Sequence, residues 1–144
     1  MKNKLQLLFP SLAFGGGLAT SDIQIANAEY LLKIKFPADY FEYLKNFGWL
    51  EVDQYEFFGL GENIPKFLNL ELIAPQEWET GGLSKNLLPI WNNGGGDLYC
   101  IDLKLLDKKV STISVFSDGD RQSEIVDIGF KKWLTKMLST LIEA

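Results

Sequence analysis

Carboxylates are the main side chains with which this sequence could do chemistry. Its 144 residues include 19 Asp and Glu and one Cys, and there is no His. The lack of histidine excludes a Ser-His-Asp triad, a Cys-His dyad and a His-ligated metal site. A single cysteine cannot form an internal disulfide or a cysteine-rich zinc site. Two acids in one cleft could hydrolyse a glycoside, but no pair here has a spacing that favours this. We therefore predict no catalytic residue, no metal and no cofactor.

Four short features favour structural roles over chemical ones. Gly94-Gly95-Gly96-Asp97 lacks the Lys-Ser/Thr pair of a phosphate-binding loop and is typical of a glycine turn. Asp97 and Asp102 are five residues apart on a predicted strand, so their side chains should point to opposite faces. Asp118-Gly119-Asp120 is too short for a calcium loop. Cys100 has apolar neighbours on both sides and is predicted to be a small buried hydrophobic residue.

The acidic charge is concentrated in one segment, residues 49–80. The whole sequence has a net charge of −5. The segment carries seven acids against one base, Lys66, which gives −6, and the remaining chain carries 13 bases against 12 acids. The same segment also contains several aromatic residues, namely Trp49, Tyr55, Phe57, Phe58, Phe67 and Trp78.

Acids mixed with aromatics are typical of a protein-binding surface, because aromatic side chains anchor a partner and carboxylates attract a basic one. A basic nuclease would suit such a surface. The alternative interpretation is that the aromatic side chains point into the core and the acids form the solvent-exposed face of a hairpin. The sequence leaves both interpretations open. The residues predicted to contact a partner are Trp49, Glu51, Asp53, Tyr55, Glu56, Glu62, Glu71, Glu77, Trp78 and Glu79.

The composition argues against nucleic-acid and membrane partners. An acidic chain lacks the basic stripe that contacts phosphates, and no run approaches the ~18 apolar residues of a membrane span. Lys2 precedes an apolar stretch and Ala26-Asn27-Ala28 resembles a signal cleavage site, but Gln6 and Pro10 interrupt the stretch. We expect no signal peptide and a cytoplasmic protein, with which the lone Cys100 is consistent.

Two helices are predicted before residue 49. Ser21 and Gln24 form a capping-box pattern that begins the first helix. Pro37 should end it and suits the first turn of the second, and Gly48 suits the end of the second. The residues predicted to face the core are Ile23, Ala26, Tyr30, Leu31 and Ile34 on the first helix, and Tyr40, Phe41, Leu44 and Phe47 on the second.

Strands are predicted from residue 49 onwards. Residues 49–52 and 56–60 predict a hairpin around Asp53-Gln54-Tyr55. Residues 63–80 contain Pro65 and Pro75 and are predicted to be largely loop with a short helix. The other predicted strands are 87–91, placed at a sheet edge or strand start by Pro89, then 98–101 as a central strand, 110–116 and 125–126, with turns at 92–96, 107–109 and 117–120.

A C-terminal helix is the clearest predicted element. Apolar residues recur at i, i+3 and i+4 over residues 130–142, and Asp127 is the predicted N-cap. Two helices, a block of strands and a closing helix indicate an α+β fold. We expect a mixed, largely antiparallel sheet with two N-terminal helices and the C-terminal helix packed on it, in a single domain of residues 1–144.

Several local patterns occur in a fixed order along this chain and together resemble one family. They are Ile25-x-x-x-Glu29, Phe36-Pro37-x-x-Tyr40-x-x-x-Leu44, Asn46-Phe47-Gly48, Phe58-Gly59-Leu60, Leu88-Pro89-Ile90, the run 93–102 and Phe130-x-x-Trp133-Leu134. Over residues 20–142 the ordered set resembles the SUKH superfamily, which includes eukaryotic cell-wall-synthesis regulators and many bacterial immunity proteins.

The sequence departs from the pattern of the superfamily in two places. Phe36 stands where members usually have Leu before the proline, and residues 63–83 match no part of the pattern. By resemblance, the residues expected to support the fold are Phe36, Pro37, Tyr40, Gly48, Gly59, Gly95, Gly96, Asp97, Asp102 and Trp133.

The resemblance implies a non-enzymatic, protein-binding role. Typical bacterial members neutralise a toxin domain encoded beside them, so we expect a cognate toxin domain as the partner. A regulatory or scaffold domain that binds a cellular protein is the alternative, and a carboxylate-based hydrolase is a remote third. The sequence leaves the oligomeric state open.

Overall fold

The described part of the chain runs from a short helix and strand through two helices to a strand hairpin, a further helix, four strands and a closing helix. A computed structural model describes residues 2–105, 110–117 and 123–143. The turn predicted at 107–109 and the Asp118-Gly119-Asp120 motif lie outside these residues. The helices are α1 (Lys2–Leu8), α2 (Asp22–Leu32), α3 (Ala38–Phe47), α4 (Leu70–Glu79) and α5 (Phe130–Glu143), with a 3-10 turn at Lys66–Leu68. The strands are β1 (Phe14–Gly16), β2 (Leu50–Val52), β3 (Tyr55–Phe57), β4 (Leu87–Asn92), β5 (Asp97–Asp102), β6 (Thr112–Ser117) and β7 (Ser123–Ile128).

The strands form one antiparallel sheet whose spatial order is the order of the chain, from β1 to β7. The predicted α+β class with a largely antiparallel sheet is therefore confirmed. The hairpin of β2 and β3 and the interior position of β5 are confirmed as well. Short connections join β2 to β3 and β4 to β5, which matches the turn signals there. The β1–β2 connection contains α2 and α3, and the β3–β4 connection contains α4.

Helices α5 and α4 cover opposite faces of the sheet. On one face, the Trp133 indole of α5 packs edge-on against Phe57 and Trp91, with ring centroids 5.9 and 6.0 Å apart. On the other face, the Trp78 indole N–H of α4 donates a 2.8 Å hydrogen bond to the Leu87 carbonyl. Because successive strand residues alternate between faces, the neighbours of Phe57 along β3 point away from α5.

The buried face of α2 differs from the predicted one. The capping box of Ser21 and Gln24 is confirmed, but Ile23, Tyr30 and Leu31 are 74%, 86% and 64% exposed. The helix is apolar on two sides, so its spacing alone could not decide which side would be buried. Of the other two predicted residues, Ala26 is exposed and Ile34 is partly buried. The side of α2 that packs against the core consists of Ile25, Ala28 and Leu32.

Helix α3 packs beside α5 through aromatic rings. Tyr40 and Tyr43 lie 5.1 and 4.9 Å from the Phe130 ring. The predicted stripe is confirmed at Tyr40, Leu44 and Phe47. Phe41 is only partly buried, and Tyr43 occupies the core in its place. The helix ends as predicted at Gly48, which has a φ of 71°.

Residues 63–80 are more ordered than predicted. They form the 3-10 turn and the ten-residue helix α4, with Pro75 inside the helix. The prolines indicated a loop because proline lacks an N–H for the helical ladder. Local capping opposes that effect, since the Asn69 side chain accepts the Glu71 N–H over 3.0 Å. Burial of Leu70 and Ala74 then fixes α4 against the rest of the core.

Pro89 lies in an interior strand, which contradicts its predicted edge or strand-start position. In the described register, β4 pairs with β3 at Trp91 alone, opposite Phe57. Pro89 pairs with Cys100 of β5 on its other side. Proline cannot donate a ladder hydrogen bond. The strand therefore tolerates it where one flank has no strand partner.

The N-terminal residues form two elements that the sequence did not predict. β1 pairs with β2 at the edge of the sheet, with Gly15 opposite Glu51. Helix α1 and the turn after it contribute Leu5, Phe9 and Leu12 to the core. Three-residue strands and seven-residue helices carry too few periods for a pattern to be read, so tertiary packing decides them.

Two aspartates join the last helix to the rest of the fold. The Asp39 carboxylate of α3 accepts the backbone N–H groups of Ser111 and Phe130 over 2.8 and 2.9 Å, and the Ser111 hydroxyl also donates to it. The predicted N-cap, Asp127, is wrong because α5 begins three residues later at Phe130. The free N–H at the start of α5 is instead bound by Asp39, a residue distant in sequence.

Asp127 is a buried partner of lysines on α5. Its carboxylate lies 2.8 Å from Lys136 Nζ and accepts the Ile128 N–H over 2.8 Å. Burial alone would raise the pKa of the Asp127 carboxyl. The hydrogen bonds from Lys136 and Ile128, together with the charges of Lys136 and Lys132, outweigh burial and hold that pKa below 3.8.

Residues 58–60, here called the crossing segment, lie against the end of α3 with no room for side chains between them. The Leu60 N–H donates to the Gly48 carbonyl over 2.9 Å, and a Cβ on Gly59 would collide with that carbonyl oxygen. A Cβ on Gly48 would lie 2.5 Å from the Leu18 carbonyl oxygen. The close approach of these segments therefore requires glycine.

The backbone of the crossing segment is held by hydrogen bonds from several elements. The Phe58 carbonyl accepts the hydroxyls of Tyr40 and Tyr43 over 3.3 and 3.0 Å. Gly59 donates to the Leu68 carbonyl and accepts the Leu70 N–H. The segment thus fixes the 3-10 turn and the start of α4 relative to α3.

We expect Gly59→Ala to lower the free energy of unfolding by about 3 kcal/mol, because the new methyl group must displace backbone rather than a flexible side chain. Urea unfolding followed by circular dichroism measures the change. Gly95→Ala is the matched control, since a Cβ at Gly95 has its nearest contact 3.5 Å away and should change stability by less than about 0.5 kcal/mol. Equal effects of the two substitutions would contradict the steric role of Gly59.

We expect the Asp127–Lys136 contact to stabilise the fold by about 1 kcal/mol at neutral pH. A carboxyl with a lowered folded-state pKa stabilises above its ordinary pKa of 3.8, and this contribution is lost as the pH falls through the folded-state value. The stability difference between wild type and Asp127→Asn should therefore shrink from pH 7 to pH 3 in urea unfolding. A difference that is constant across this range would show that the charge of Asp127 does not matter.

Candidate functional site

A row of side chains crosses the sheet on the face opposite α5. Glu51 of β2 lies directly opposite Glu56 of β3 in the antiparallel register. Phe57 faces α5, so its neighbour Glu56 points to the other face. Asn92 of β4 and Leu98 of β5, which pair with each other, lie beside Glu56 in the same hollow. Two carboxylates of the acidic segment are thus adjacent on one surface.

Glu51 and Glu56 form a like-charge pair. Side chains directly opposite on paired strands have Cβ atoms about 5 Å apart, and like charges there are destabilising. Neither carboxylate forms an ion pair or a hydrogen bond with a side chain or backbone group in the described ranges. Both are partly buried rather than fully solvated. A cation brought by another molecule would relieve this repulsion.

A hollow of about 220 Å³ lies next to Glu56, between the sheet and α4. Glu77 of α4 stands on the other side of it. The Phe67 side chain of the 3-10 turn borders the hollow and is 59% exposed. The remaining apolar lining comes from Phe58, Leu68, Ile73 and Leu98. The hollow therefore has apolar walls and an acid on each side.

The remaining predicted contact residues lie elsewhere on the molecule. Tyr55 is on the α5 face, where its ring packs 4.9 Å from Trp91 and its hydroxyl lies 2.9 Å from Thr140 Oγ1. Asp53 is in the hairpin turn and its carboxylate accepts the Ala13 N–H over 2.9 Å. The Trp78 indole hydrogen-bonds to the sheet. These three side chains hold elements of the fold together.

Four further predicted residues lie on other parts of the surface. Trp49 and Glu62 border a second hollow beside α2. Glu71 borders a third, together with Tyr30 and Leu31 of α2. Glu79 is exposed near the end of α4. The structure therefore brings Glu51, Glu56 and Glu77 to one face and distributes the other predicted residues over several.

Sequence reasoning missed large apolar side chains that are exposed. Tyr30 and Leu31 were assigned to the core, yet they flank the hollow that contains Glu71. Phe67 was noted as an aromatic of the acidic segment but was not among the predicted contact residues. The available signal was its position two residues after Pro65, in a turn where a large apolar side chain need not point inward.

The residues that the resemblance expects to support the fold lie in turns, at the ends of helices and strands, and among packed aromatic rings. Asp97 accepts hydrogen bonds from Asn93 Nδ2 and the Ser117 hydroxyl over 3.1 and 2.7 Å. Gly95 donates its N–H to Asn93 Oδ1, so this N–H is already used within the turn. Asp102 accepts the Lys104 N–H at the end of β5. Pro37 precedes α3 as its N-cap residue, while Phe36 lies 5.6 Å from the Tyr40 ring.

The described residues offer little reactive chemistry. Among them, no group of three or more Cys, Asp and Glu is placed to hold a metal ion. Cys100 is fully buried, and burial raises the pKa of its thiol, with smaller contributions from Glu77 and Asp102. A thiol with a raised pKa forms little of the reactive thiolate at neutral pH. In the described ranges, no helix is long and apolar enough to cross a membrane.

Comparison with protein-family models gives a match to this chain. The family model SUKH_6, described as SMI1-KNR4 cell-wall, matches residues 22–134. The matched range includes α2 to β7 and the first five residues of α5, and it contains the whole acidic segment. No curated protein matches the chain.

We expect Glu51→Gln and Glu56→Gln each to raise the free energy of unfolding by about 0.5 kcal/mol, because either substitution removes the like-charge repulsion. The double variant should gain little more than either single one, since the repulsion disappears with the first substitution. Urea unfolding of the four proteins measures this coupling. Additive gains, or destabilisation by both single substitutions, would contradict the repulsion.

Proposed function

The chain belongs to the SUKH_6 family, described as SMI1-KNR4 cell-wall, and from this premise we propose that it is an immunity protein that binds and neutralises a cognate toxin domain. The family is generally non-catalytic and its members act through protein–protein contacts. In this proposal the chain blocks the toxin by binding alone, without a catalytic residue, metal or cofactor. Residues 1–144 act as one domain, since β1 extends the sheet of the matched residues. The protein works in the cytoplasm, where a single free thiol is usual.

The like-charge pair of Glu51 and Glu56 on the face opposite α5 is the observation that carries this proposal. Glu51 and Glu56 keep two like charges side by side at a cost to stability. A cost of this kind is often retained for function. Carboxylates at an interface attract a basic partner and reject acidic ones. A nuclease domain is a fitting target, because a protein that grips phosphates needs a basic surface.

Exposed apolar side chains near these acids support a protein as the partner. Phe67 lies beside Glu56, and Tyr30 and Leu31 lie beside Glu71. Aromatic side chains at the centre of an interface supply much of its binding energy. The proposed contact surface therefore consists of the Glu51–Glu56 pair, Glu77 and Phe67, with the α2 side of α4 at its border.

We expect the product of the neighbouring reading frame to co-purify with this protein. Glu51→Lys combined with Glu56→Lys should weaken that capture about tenfold or more, because the surface then repels a basic partner. The double reversal keeps two like charges opposite each other, so the repulsion within the hairpin stays the same. Asp53 is left unchanged because it binds the Ala13 N–H. Capture on beads and rescue of growth from the toxin are the measurements.

Glu124→Lys is the control, since Glu124 is exposed on β7, outside the acidic segment. It should leave capture unchanged. If the neighbouring product neither binds nor is neutralised, the immunity function is wrong. If binding survives the double reversal, the function stands and the surface is wrong. Capture of a cellular protein instead of a toxin would favour the alternative, a regulatory or scaffold domain.

A further inference from the structure

Helix α2 and the residues before it expose a strip of large apolar side chains, here called the α2 ridge. The ridge consists of Leu18, Ile23, Tyr30 and Leu31, which are 86%, 74%, 86% and 64% exposed. Leu18 and Ile23 border one surface hollow, and Tyr30 and Leu31 border another at the far end of the helix. Apolar side chains that are exposed together mark interaction sites, whereas scattered ones need no explanation. The ridge is therefore a contact surface without a partner in the single chain.

The side chains of the ridge are arranged almost symmetrically about Asn27. Ile23 lies four residues before Asn27, and Leu31 lies four residues after it. In a symmetric dimer the same patch of both copies meets, so that residue i contacts residue j and j contacts i. If a second α2 lies antiparallel across Asn27, Ile23 of each copy faces Leu31 of the other. The small exposed side chain of Ala26 at the centre allows the two helices to approach closely.

Charges of opposite sign border the two ends of the ridge. Glu62 lies where α2 begins, and Lys33 follows the last residue of α2. Both are exposed, and neither side chain has an ion pair or a hydrogen bond among the described residues. An antiparallel pairing brings Glu62 of each copy to the end where Lys33 of the other lies, whereas a parallel pairing brings like charges together. The other charges at the two ends are already paired, namely Asp22 with Lys45 and Glu29 with Lys35.

We propose that two copies of this chain form a dimer in which their α2 ridges pack antiparallel about a two-fold axis near Asn27. The apolar side chains form the centre of this interface, and the two Glu62–Lys33 contacts lie at its ends. Glu71 borders the middle of the ridge. Its two copies lie at the rim of the interface, where solvent and salt screen their repulsion.

The dimer does not rest on the proposed function. Glu51, Glu56 and Phe67, which form the centre of the proposed toxin contact, are not part of the ridge. Tyr30 and Leu31, at the border of that contact surface, are covered by the second copy. Each copy in the dimer keeps one acidic face, so a dimer that binds its partner would hold two partner molecules.

Sedimentation velocity of the full chain, from low micromolar to near millimolar concentration, tests the dimer. The average mass should rise with concentration from the 16.3 kDa of one chain towards twice that value. A pair of helices buries less than the ≈ 800 Å² per partner of a standard interface, so we expect a dissociation constant of about 10 to 100 µM. A mass that stays at 16.3 kDa over the whole range would overturn the proposal.

Leu31→Ser should weaken the dimer about tenfold or more, because each copy loses an apolar contact with Ile23 of the other. Ile128→Ser is the matched control, since Ile128 is also 64% exposed but lies on β7. It should leave the dissociation constant unchanged, and urea unfolding checks that both variants are folded. If Ile128→Ser disrupts the dimer and Leu31→Ser does not, the copies pair through the edge strand β7 and the α2 ridge is not the interface.

A charge exchange tests the antiparallel orientation. Glu62→Lys and Lys33→Glu should each weaken the dimer about threefold, because each places like charges together at both ends of an exposed interface. The variant that carries both substitutions should regain the affinity of the wild type. In a parallel dimer neither single substitution would matter, since like charges would face each other before and after it. Unchanged affinity of both single variants, or no recovery in the double variant, would overturn this arrangement.

Discussion

The packing of the crossing segment against Gly48 is the constraint on which the rest of the structure depends. Residues 58–60 leave the hairpin and pass between α3 and the start of α4, where their polar backbone groups are buried. Buried backbone groups must be hydrogen-bonded, and here tyrosine hydroxyls, the end of α3 and the 3-10 turn provide the partners. Because the segment fixes the 3-10 turn, it also places Phe67 beside Glu56. The contact between Gly59 and Gly48 thus helps to determine the shape of the acidic surface.

The parts of the fold that could be predicted from sequence are those decided by local chemistry. The capping box of α2, the end of α3 at Gly48 and the apolar stripe of α5 each follow from a few neighbouring residues. The errors arose where distant contacts decide the outcome. The face of α2 that is buried depends on what packs against it, and Asp39 binds the start of α5 from 91 residues away. No local pattern contains that information.

The sequence predicts which segment contains the candidate site, but not which residues of that segment share one surface. The charge count identified residues 49–80, and within that range the strand pairing brings Glu51 and Glu56 together. Because side chains alternate between the two faces of a strand, Tyr55 points to the face that α5 covers. The competing interpretation, a hairpin with one buried and one solvent-exposed face, requires this placement. The competing interpretation therefore holds for Tyr55, while a partner surface at Glu51 and Glu56 stays a prediction. The position of Phe67 beside Glu56 depends on the 3-10 turn and on α4, a helix that Pro75 concealed in the sequence.

The order of the strands has a consequence for how the chain reaches this structure during its synthesis. The β2–β3 pair and the strands β4 to β7 follow one another closely in the chain, so these parts of the sheet can assemble hairpin by hairpin through fast loop closures. The β1–β2 and β3–β4 pairs enclose helices and close longer loops. The contacts of Thr20 with Leu60 and of Asp39 with Phe130 close loops of 40 and 91 residues instead. Helix α5 is the last of the matched elements to leave the ribosome, and the aromatic face of the sheet stays uncovered until it arrives. Completion of the core, rather than formation of the acidic face, therefore comes last.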